Sequence, residues 1–328
     1  MKNVVTTTEL RKSFKSKKGV VEAVRGVELH VGEGEIFGFL GPNGAGKTTT
    51  LRMLATLLPI ESGEAMVAGF DVKKQPHEVR RRVGYVSQAG GGDRLSTGRE
   101  DLILQGQLYG MSTTDANARA DELIDDLDLG EFAGRRVVTY SGGQRRRLDV
   151  GLGIMHRPDV LFLDEPTTGL DPQNRANLWE LIRQLSGSGT SIFLTTHYLD
   201  EADVLSNRLA IMDHGLIVAE GTSRELKQEI AADSVVVSLK SDEGCSGATE
   251  LLRQESYVSH ITTEADHLRL YVDDGVAALP KLLRLLDGNG IGVRTITLSE
   301  PTLDDVFLRH TGRSLHKAGM NQRNGDSE

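Results

Sequence analysis

The sequence predicts an α/β fold with an α-helical insertion, followed by a small α+β domain. Three observations predict it. Gly41-Pro42-Asn43-Gly44-Ala45-Gly46-Lys47-Thr48 reads G-x-x-x-x-G-K-T between an apolar run, Ile36 to Leu40, and a stretch of helical spacing, Thr48 to Leu58. Strand, glycine turn and helix are the context that a phosphate-binding P-loop requires. Several predicted strands end in polar groups (the P-loop after Leu40, then Gln88, Asp164-Glu165 and His197), at the edge where open α/β sheets bind ligands. From about Ile230 the element order becomes β-α-β-β-α-β, a ferredoxin-like arrangement.

Composition sets the outer limits. The chain has 328 residues, room for roughly two domains, and a chain of that length buries about three quarters of its unfolded surface. Lys and Arg total 38 against 47 Asp and Glu, a net charge of -9. Nucleic acid is therefore not expected as a partner, because binding a phosphate backbone wants a basic surface. Cys245 is the only cysteine, which rules out an intrachain disulfide and fits a reducing compartment. No run of about 18 apolar residues occurs, so no membrane-spanning helix is expected. Met1 to Arg11 lacks the apolar centre of a secretory signal.

Val4 to Val31 reads as β structure. Phe14 stands there beside a basic, glycine-containing turn, Lys15 to Gly19. An exposed ring at that point can stack on a purine; the alternative is an edge-strand core residue. Within the P-loop, Gly41, Gly44 and Gly46 let the backbone curl its N–H groups toward a phosphate. The helix that follows turns its positive end to the same anion, with Leu51, Leu54 and Leu58 on its core side. Lys47 can reach β- and γ-phosphate oxygens, and the Thr48 hydroxyl can ligate Mg²⁺. Turns at Ser62-Gly63 and Gly69-Phe70-Asp71 bracket a strand, Glu64 to Ala68. His77 to Arg82 reads as helix and Val83 to Ser87 as strand. Gln88 ends that strand before the flexible Gly90-Gly91-Gly92, a place where a polar side chain can sense a ligand.

Arg99 to Phe132 has helical periodicity. Leu102, Leu108 and Tyr109 form one expected stripe; Leu123, Ile124, Leu127 and Leu129 form another, with Asp121, Glu122, Asp125, Asp126 and Asp128 toward solvent. Tyr140-Ser141-Gly142-Gly143-Gln144 then opens a helix reaching Met155. A hydroxyl, free N–H groups and a helix dipole make a second anion site there, although an N-cap serine would account for the stretch if it stood alone. Arg145-Arg146-Arg147, beside it, is expected to matter more than the solvated run Arg80-Arg81-Arg82.

Val160 to Leu163 is a β-run ending in Asp164-Glu165, carboxylates that are costly to bury unless used or paired. Asp164 can hold the Mg²⁺ shell through water, and Glu165 can take a proton from an attacking water. Gly169-Leu170-Asp171-Pro172 leads into a helix, Asn174 to Ser186. Ser191 to Thr196 is another strand, and His197 at its end can donate to a γ-phosphate oxygen. Leu209 to Met212 and Leu216 to Ala219 form a hairpin about Asp213-His214-Gly215. Farther on, Val235 to Leu239, Val258 to Thr262, Leu268 to Val272 and Val293 to Leu298 read as strands. Leu251-Leu252, Ala278 to Leu286 and Leu303 to His310 read as helices, and the polar tail from about Lys317 is expected to be disordered.

These pieces, in this order, resemble the ATP-binding subunit of an ABC transporter over roughly residues 3 to 225. Gly41 to Thr48 corresponds to the Walker A motif and Gln88 to the Q-loop. Tyr140 to Gln144 corresponds to the family's signature and Val160 to Glu165 to the Walker B strand with its glutamate. Gly169-Leu170-Asp171 corresponds to the D-loop, His197 to the switch histidine, and Phe14 to the adenine-stacking aromatic. The signature here begins with Tyr140 where leucine is usual, and Phe14 stands where tyrosine is usual; the phosphate-contacting Ser141, Gly142 and Gly143 and the ring face are kept. Tyr140 through Asp149, and Glu300-Pro301-Thr302-Leu303-Asp304-Asp305-Val306-Phe307, resemble the daunorubicin/doxorubicin-resistance subfamily of ABC-2 type exporters.

The resemblance implies an ABC ATPase core over residues 1–228 with its helical insertion at about 99–155, a C-terminal α+β domain over 229–312, and a disordered tail, 313–328. It implies ATP and Mg²⁺ as cofactors, and two chains joined head to tail. Phe14, Gly41, Pro42, Asn43, Gly44, Ala45, Gly46, Lys47, Thr48 and Thr49 of one copy would contact nucleotide. Ser141, Gly142, Gly143, Gln144 and Asp171 of the other would complete the site. Thr48, Gln88 and Asp164 would serve the metal, and Glu165, His197, Gln88 and Lys47 the chemistry. A separately encoded permease would hold the subunit at the cytoplasmic face of the cell membrane for efflux of an anthracycline-like drug or antibiotic. The alternatives are a soluble ABC ATPase uncoupled from transport and an importer ATPase with a regulatory C-terminal domain.

Overall fold

The computed structural model describes residues 2–16, 19–229, 233–240, 244–264, 267–299 and 301–315. Chain contacts divide them into two units, one built on Met1–Ser223 and the other on Arg224–Ser314. The break thus falls slightly ahead of the expected 228.

The first unit begins with β1 (Asn3–Ser16) and β2 (Gly19–Gly32), a long antiparallel pair with several bulges. Next come β3 (Ile36–Leu40) and α1 (Lys47–Leu54), then β4 (Ser62–Val67), β5 (Phe70–Asp71), α2 (Pro76–Arg82) and β6 (Val83–Val86). The helical insertion supplies α3 (Gly98–Leu108), α4 (Thr113–Asp126) and α5 (Gly142–Ile154). The chain returns through β7 (Val160–Asp164), α6 (Pro172–Gly187), β8 (Ser191–Thr196), α7 (Leu199–Leu205), β9 (Arg208–Asp213) and β10 (Leu216–Gly221); α8 (Ser223–Gln228) starts at the last residue of this unit and belongs to the second from Arg224 on.

A six-stranded sheet of order β10-β9-β3-β8-β7-β6 forms the centre, and a four-stranded sheet, β2-β1-β4-β5, forms a second layer. From β9 to β6 the central sheet is parallel, with β10 added antiparallel. Every residue of β3, β7 and β8 is buried, as expected of parallel strands covered on both faces. Phe37, Phe39 and Phe162 surround Phe193 at ring distances of 5.3, 5.6 and 5.8 Å. The β9–β10 turn carries positive φ at both His214 and Gly215, the backbone that a two-residue hairpin of native twist needs.

Two expected details differ. The helix after the P-loop ends at Leu54, short of Leu58. Thr56 adopts φ +62, Thr56 N–H bonds Met53 O and Leu57 N–H bonds Arg52 O. This is a Schellman ending with threonine in glycine's usual place. In α3, Leu102 is buried, but Leu108 and Tyr109 are 73% and 39% exposed, so they do not join its core stripe. Gly106 lies on the buried side of α3 instead, packed closely on Met155, Ala116 and Met111.

The second unit contains β11 (Asp233–Leu239), α9 (Gly244–Arg253), β12 (Val258–Glu264), β13 (His267–Val272), α10 (Gly275–Gly288), β14 (Val293–Ser299) and α11 (Leu303–Thr311). Its antiparallel sheet has the order β12-β13-β11-β14, which is the ferredoxin-like arrangement. Val235, Val237, Leu268 and Leu270 bury one sheet face against Ala248, Leu252, Ala278, Leu282 and Leu286. The α11 N-terminus is closed by a Thr302–Asp305 capping box, and Tyr271 donates to Asp305 from the sheet. Arg313 to Leu315, expected in the disordered tail, are described, and Ser314 bonds Asp304. Glu300 and residues 316–328 lie outside the described residues.

Candidate functional site

The parallel register brings the site together. Leu40 pairs with Thr196, Asp164 with Thr195, and Val86 with Leu163, so the carboxyl ends of four strands reach one edge. The P-loop leaves β3 there, with Gly41 N–H on Thr196 O. Gly46 has φ +108, and a Cβ on it would lie 2.2 Å from Ala23 O, so only glycine fits. Lys47, 4% exposed, folds back so that Nζ donates to Gly41 O at 2.6 Å and Pro42 O at 3.0 Å, with Glu165 Oε1 at 3.6 Å. Burial pulls the Lys47 pKa down, while Glu165 and Asp164 act in the opposite sense.

Asp164, 1% exposed, accepts three hydroxyls. Thr48 Oγ1 and Thr195 Oγ1 donate to Oδ1, each at 2.8 Å, and Tyr85 OH donates to Oδ2 at 3.2 Å. Glu165 accepts from Gln88 Nε2 at 3.1 Å and from Thr168 Oγ1 at 3.3 Å. His197 Nδ1 lies 3.2 Å from Glu165 Oε2, beside the carboxylate but off hydrogen-bond alignment. Burial alone would raise Glu165; His197 and Lys47 outweigh it and hold its carboxyl below the ordinary range. Gln88 thus bonds the glutamate rather than Asp164.

A cleft of about 610 Å³ opens over these groups. Phe14, Asn43, Gly44, Gly46, Lys47, Thr48, Thr49, Gln88, Glu165 and His197 line it. The Phe14 ring is 41% exposed at its border, not a core residue. Gly41 supplies a carbonyl behind Lys47, as does Pro42, and Ala45 is buried in the core. Ser141, Gly142, Gly143, Gln144 and Asp171 are not among the cleft's lining residues. They gather elsewhere in the unit. Ser141 and Gln144 form a capping box on α5, and Asp171 caps α6 through Asn174 N–H. Gly142 and Gly143 face Leu170 and the Asn174 side chain. Among the described residues no cluster of three or more His, Cys, Asp or Glu suits a metal.

Three residues to which the sequence assigned no role at the cleft shape this edge. Arg146, 6% exposed, donates to Pro166 O and Ser87 O, both at 2.7 Å, and to Asp164 O at 3.3 Å. The Arg145–Arg147 run pointed to the neighbourhood but not to which arginine turns inward; Arg147 pairs with exposed Asp128. Tyr85 and Thr195 gave no signal, being one aromatic and one β-branched residue inside apolar strands.

Residues 24–168 match the ABC transporter family, and residues 221–311 match the C-terminal domain of DrrA1-3-like ATP-binding proteins. The chain is 45% identical to the daunorubicin/doxorubicin resistance ATP-binding protein DrrA of Streptomyces peucetius, over 88% of either chain. It is 33% identical to the linearmycin resistance ATP-binding protein LnrL of Bacillus subtilis, over 92% of this chain and 98% of that one. In fold it is similar to a dimeric, post-hydrolysis ATP-binding cassette bound to ADP and Pi, with a TM-score of 0.61 and 24% identity over 66% of this chain and 98% of that one. No helix among the described residues is long and apolar enough to cross a membrane. With the P-loop, its carboxylate edge and the C-terminal domain all accounted for by these relatives, the chain belongs to the ABC transporter family, as an exporter-type ATPase subunit of the DrrA-like group.

Proposed function

We propose that this subunit hydrolyses MgATP in a head-to-tail pair with a second copy of itself and so powers efflux of an anthracycline-like drug or antibiotic through a separate membrane permease. The observation that carries the chemistry is the convergence of Lys47, Thr48, Gln88, Glu165 and His197 on one cleft at the carboxyl edge of the sheet. Lys47 exchanges its loop carbonyls for β- and γ-phosphate oxygens, and Phe14 offers a ring face to the base. Thr48 and Asp164 are hard oxygen donors brought together at 2.8 Å. They suit Mg²⁺ that keeps waters and substrate phosphates as its other ligands. When bound, Mg²⁺ neutralises charge on the phosphate oxygens. Glu165, held ionised, accepts the proton of the attacking water, with Gln88 orienting its carboxylate and His197 facing the transferred phosphoryl. Catalysis is then positioning and electrostatics.

The placement of Ser141-Gly142-Gly143 supports pairing: these residues do not line the cleft that holds the P-loop, and in a head-to-tail pair the second chain would supply them. A second cavity of about 610 Å³, lined by Leu57, Tyr85, Ser87, Gly91, Leu108 and Tyr109, lies where the insertion meets the loop after Gln88. Its exposed leucines suit a permease segment at the cytoplasmic membrane face. The drug assignment draws on the relatives' resistance roles.

The test is uptake of daunorubicin into inverted vesicles containing this subunit and its co-expressed permease. ATP-dependent accumulation that vanishes in Glu165→Gln is expected. Phosphate release without uptake removes the drug assignment alone; neither pairing nor phosphate release with permease and MgATP present removes the whole reading.

A further inference from the structure

Thr195 is fully buried near the end of β8, and its single hydroxyl is used twice. Oγ1 donates to Asp164 Oδ1 at 2.8 Å and accepts from Glu165 N–H at 3.0 Å. Glu165 has φ +46, a left-handed conformation that a non-glycine residue holds only where its surroundings fix it. Glu165 N–H also reaches Thr195 O at 3.1 Å, so both oxygens of one threonine face that strained peptide. The other donors to Asp164, Thr48 and Tyr85, come from α1 and β6. Thr48 is the hydroxyl that turns to Mg²⁺, which leaves Thr195 as the donor remaining on Oδ1. Packing does not explain the choice of residue, because valine has the same shape and suits a buried strand equally well.

We propose that Thr195 is a positioning residue for hydrolysis, one that sets the Asp164 carboxylate and the Glu165 main chain together. The metal-holding carboxylate and the water-facing one then keep a fixed spacing, although the chain bends between the end of β7 and Glu165. This rests on the roles given above to Asp164 and Glu165.

The test compares full-length wild type with Thr195→Val and Thr195→Ser. AMP-PNP is titrated at equilibrium in EDTA and again in Mg²⁺, and ATP turnover is measured separately. Thr195→Val is expected to match wild type in EDTA but to lose about tenfold of the Mg²⁺-dependent gain in affinity, with KM for MgATP raised by a similar factor and kcat lowered as well. Thr195→Ser, which restores the hydroxyl, should recover all three. If Thr195→Val does not fold, Thr195→Cys, with a weak donor of similar size, takes its place under the same readings. The Mg²⁺ gain needs no hydrolysis, so residual turnover in Glu165→Gln would remove the base assignment without touching this measurement. A variant that melts earlier yet keeps the wild-type Mg²⁺ gain and kcat would overturn the proposal.

Discussion

Arg146 Nη1 donates to the Ser87 carbonyl at 2.7 Å, one residue before Gln88. Its helix is the one whose first turn carries Ser141 to Gly143. Three residues on, Asp149 accepts Gly91 N–H at 2.9 Å. One helix therefore grips the chain on both sides of Gln88, and the same guanidinium holds the carbonyls of Asp164 and Pro166. These bonds tie the helix that opens at Ser141 to the chain around Gln88 and to the end of β7.

Arg146→Gln removes a buried cation and leaves carbonyls without donors. Loss of about 3 kcal/mol of unfolding free energy is expected. Arg146→Lys should recover little, because an ammonium lacks the planar fork. Urea denaturation checks this; a change within about 0.5 kcal/mol, the range of an unremarkable surface substitution, would contradict the strut.

Glu165→Gln should bind ATP, accumulate as a closed dimer and lose turnover by at least about a hundredfold. Lys47→Ala should instead lose nucleotide affinity in an equilibrium titration. Near-wild-type hydrolysis by the first, or unchanged binding by the second, would reassign that residue.

Gly46→Ala places a methyl group against Ala23 O from a φ of +108. The variant should be destabilised by at least about 1 kcal/mol and bind nucleotide poorly. Calorimetry with and without ATP reads both effects, and an unchanged melting temperature would show that the loop relaxes.

Glu201 has no exposed surface and accepts Trp179 Nε1–H at 3.1 Å. Burial raises its pKa, with the Trp179 hydrogen bond acting in the opposite sense. The folded state therefore keeps a proton that the unfolded state has released. Its contribution is fully present below the unfolded carboxyl pKa and is lost as pH rises through the folded one. Glu201→Gln should escape that loss, so its stability relative to wild type should grow with pH across this window. Trp179 is the chain's one tryptophan, and its fluorescence can follow unfolding; parallel pH profiles would sink the assignment.

Much of the site was legible because its parts are local. A glycine turn between a buried strand and a helix needs only a short stretch of chain to specify it, and so do Asp164-Glu165 at a strand tip and Ser141 as a helix N-cap. Leu108 and Tyr109 misled for a related reason: helical spacing groups residues on a face but does not say how far the covering partner extends.

By itself the sequence determined the order of most strands and helices, the P-loop between its strand and helix, the start of α5 at Ser141 and the ferredoxin-like order of the C-terminal unit. Each follows from backbone preference and apolar period within neighbouring residues. The tertiary structure alone decided which side chains meet at Asp164, joining Thr48 to it across 116 positions of chain and adding Tyr85, Thr195 and the carbonyl bond of Arg146. Those contacts arise from the register of parallel strands and from the need to satisfy buried polar atoms, and no local pattern records either.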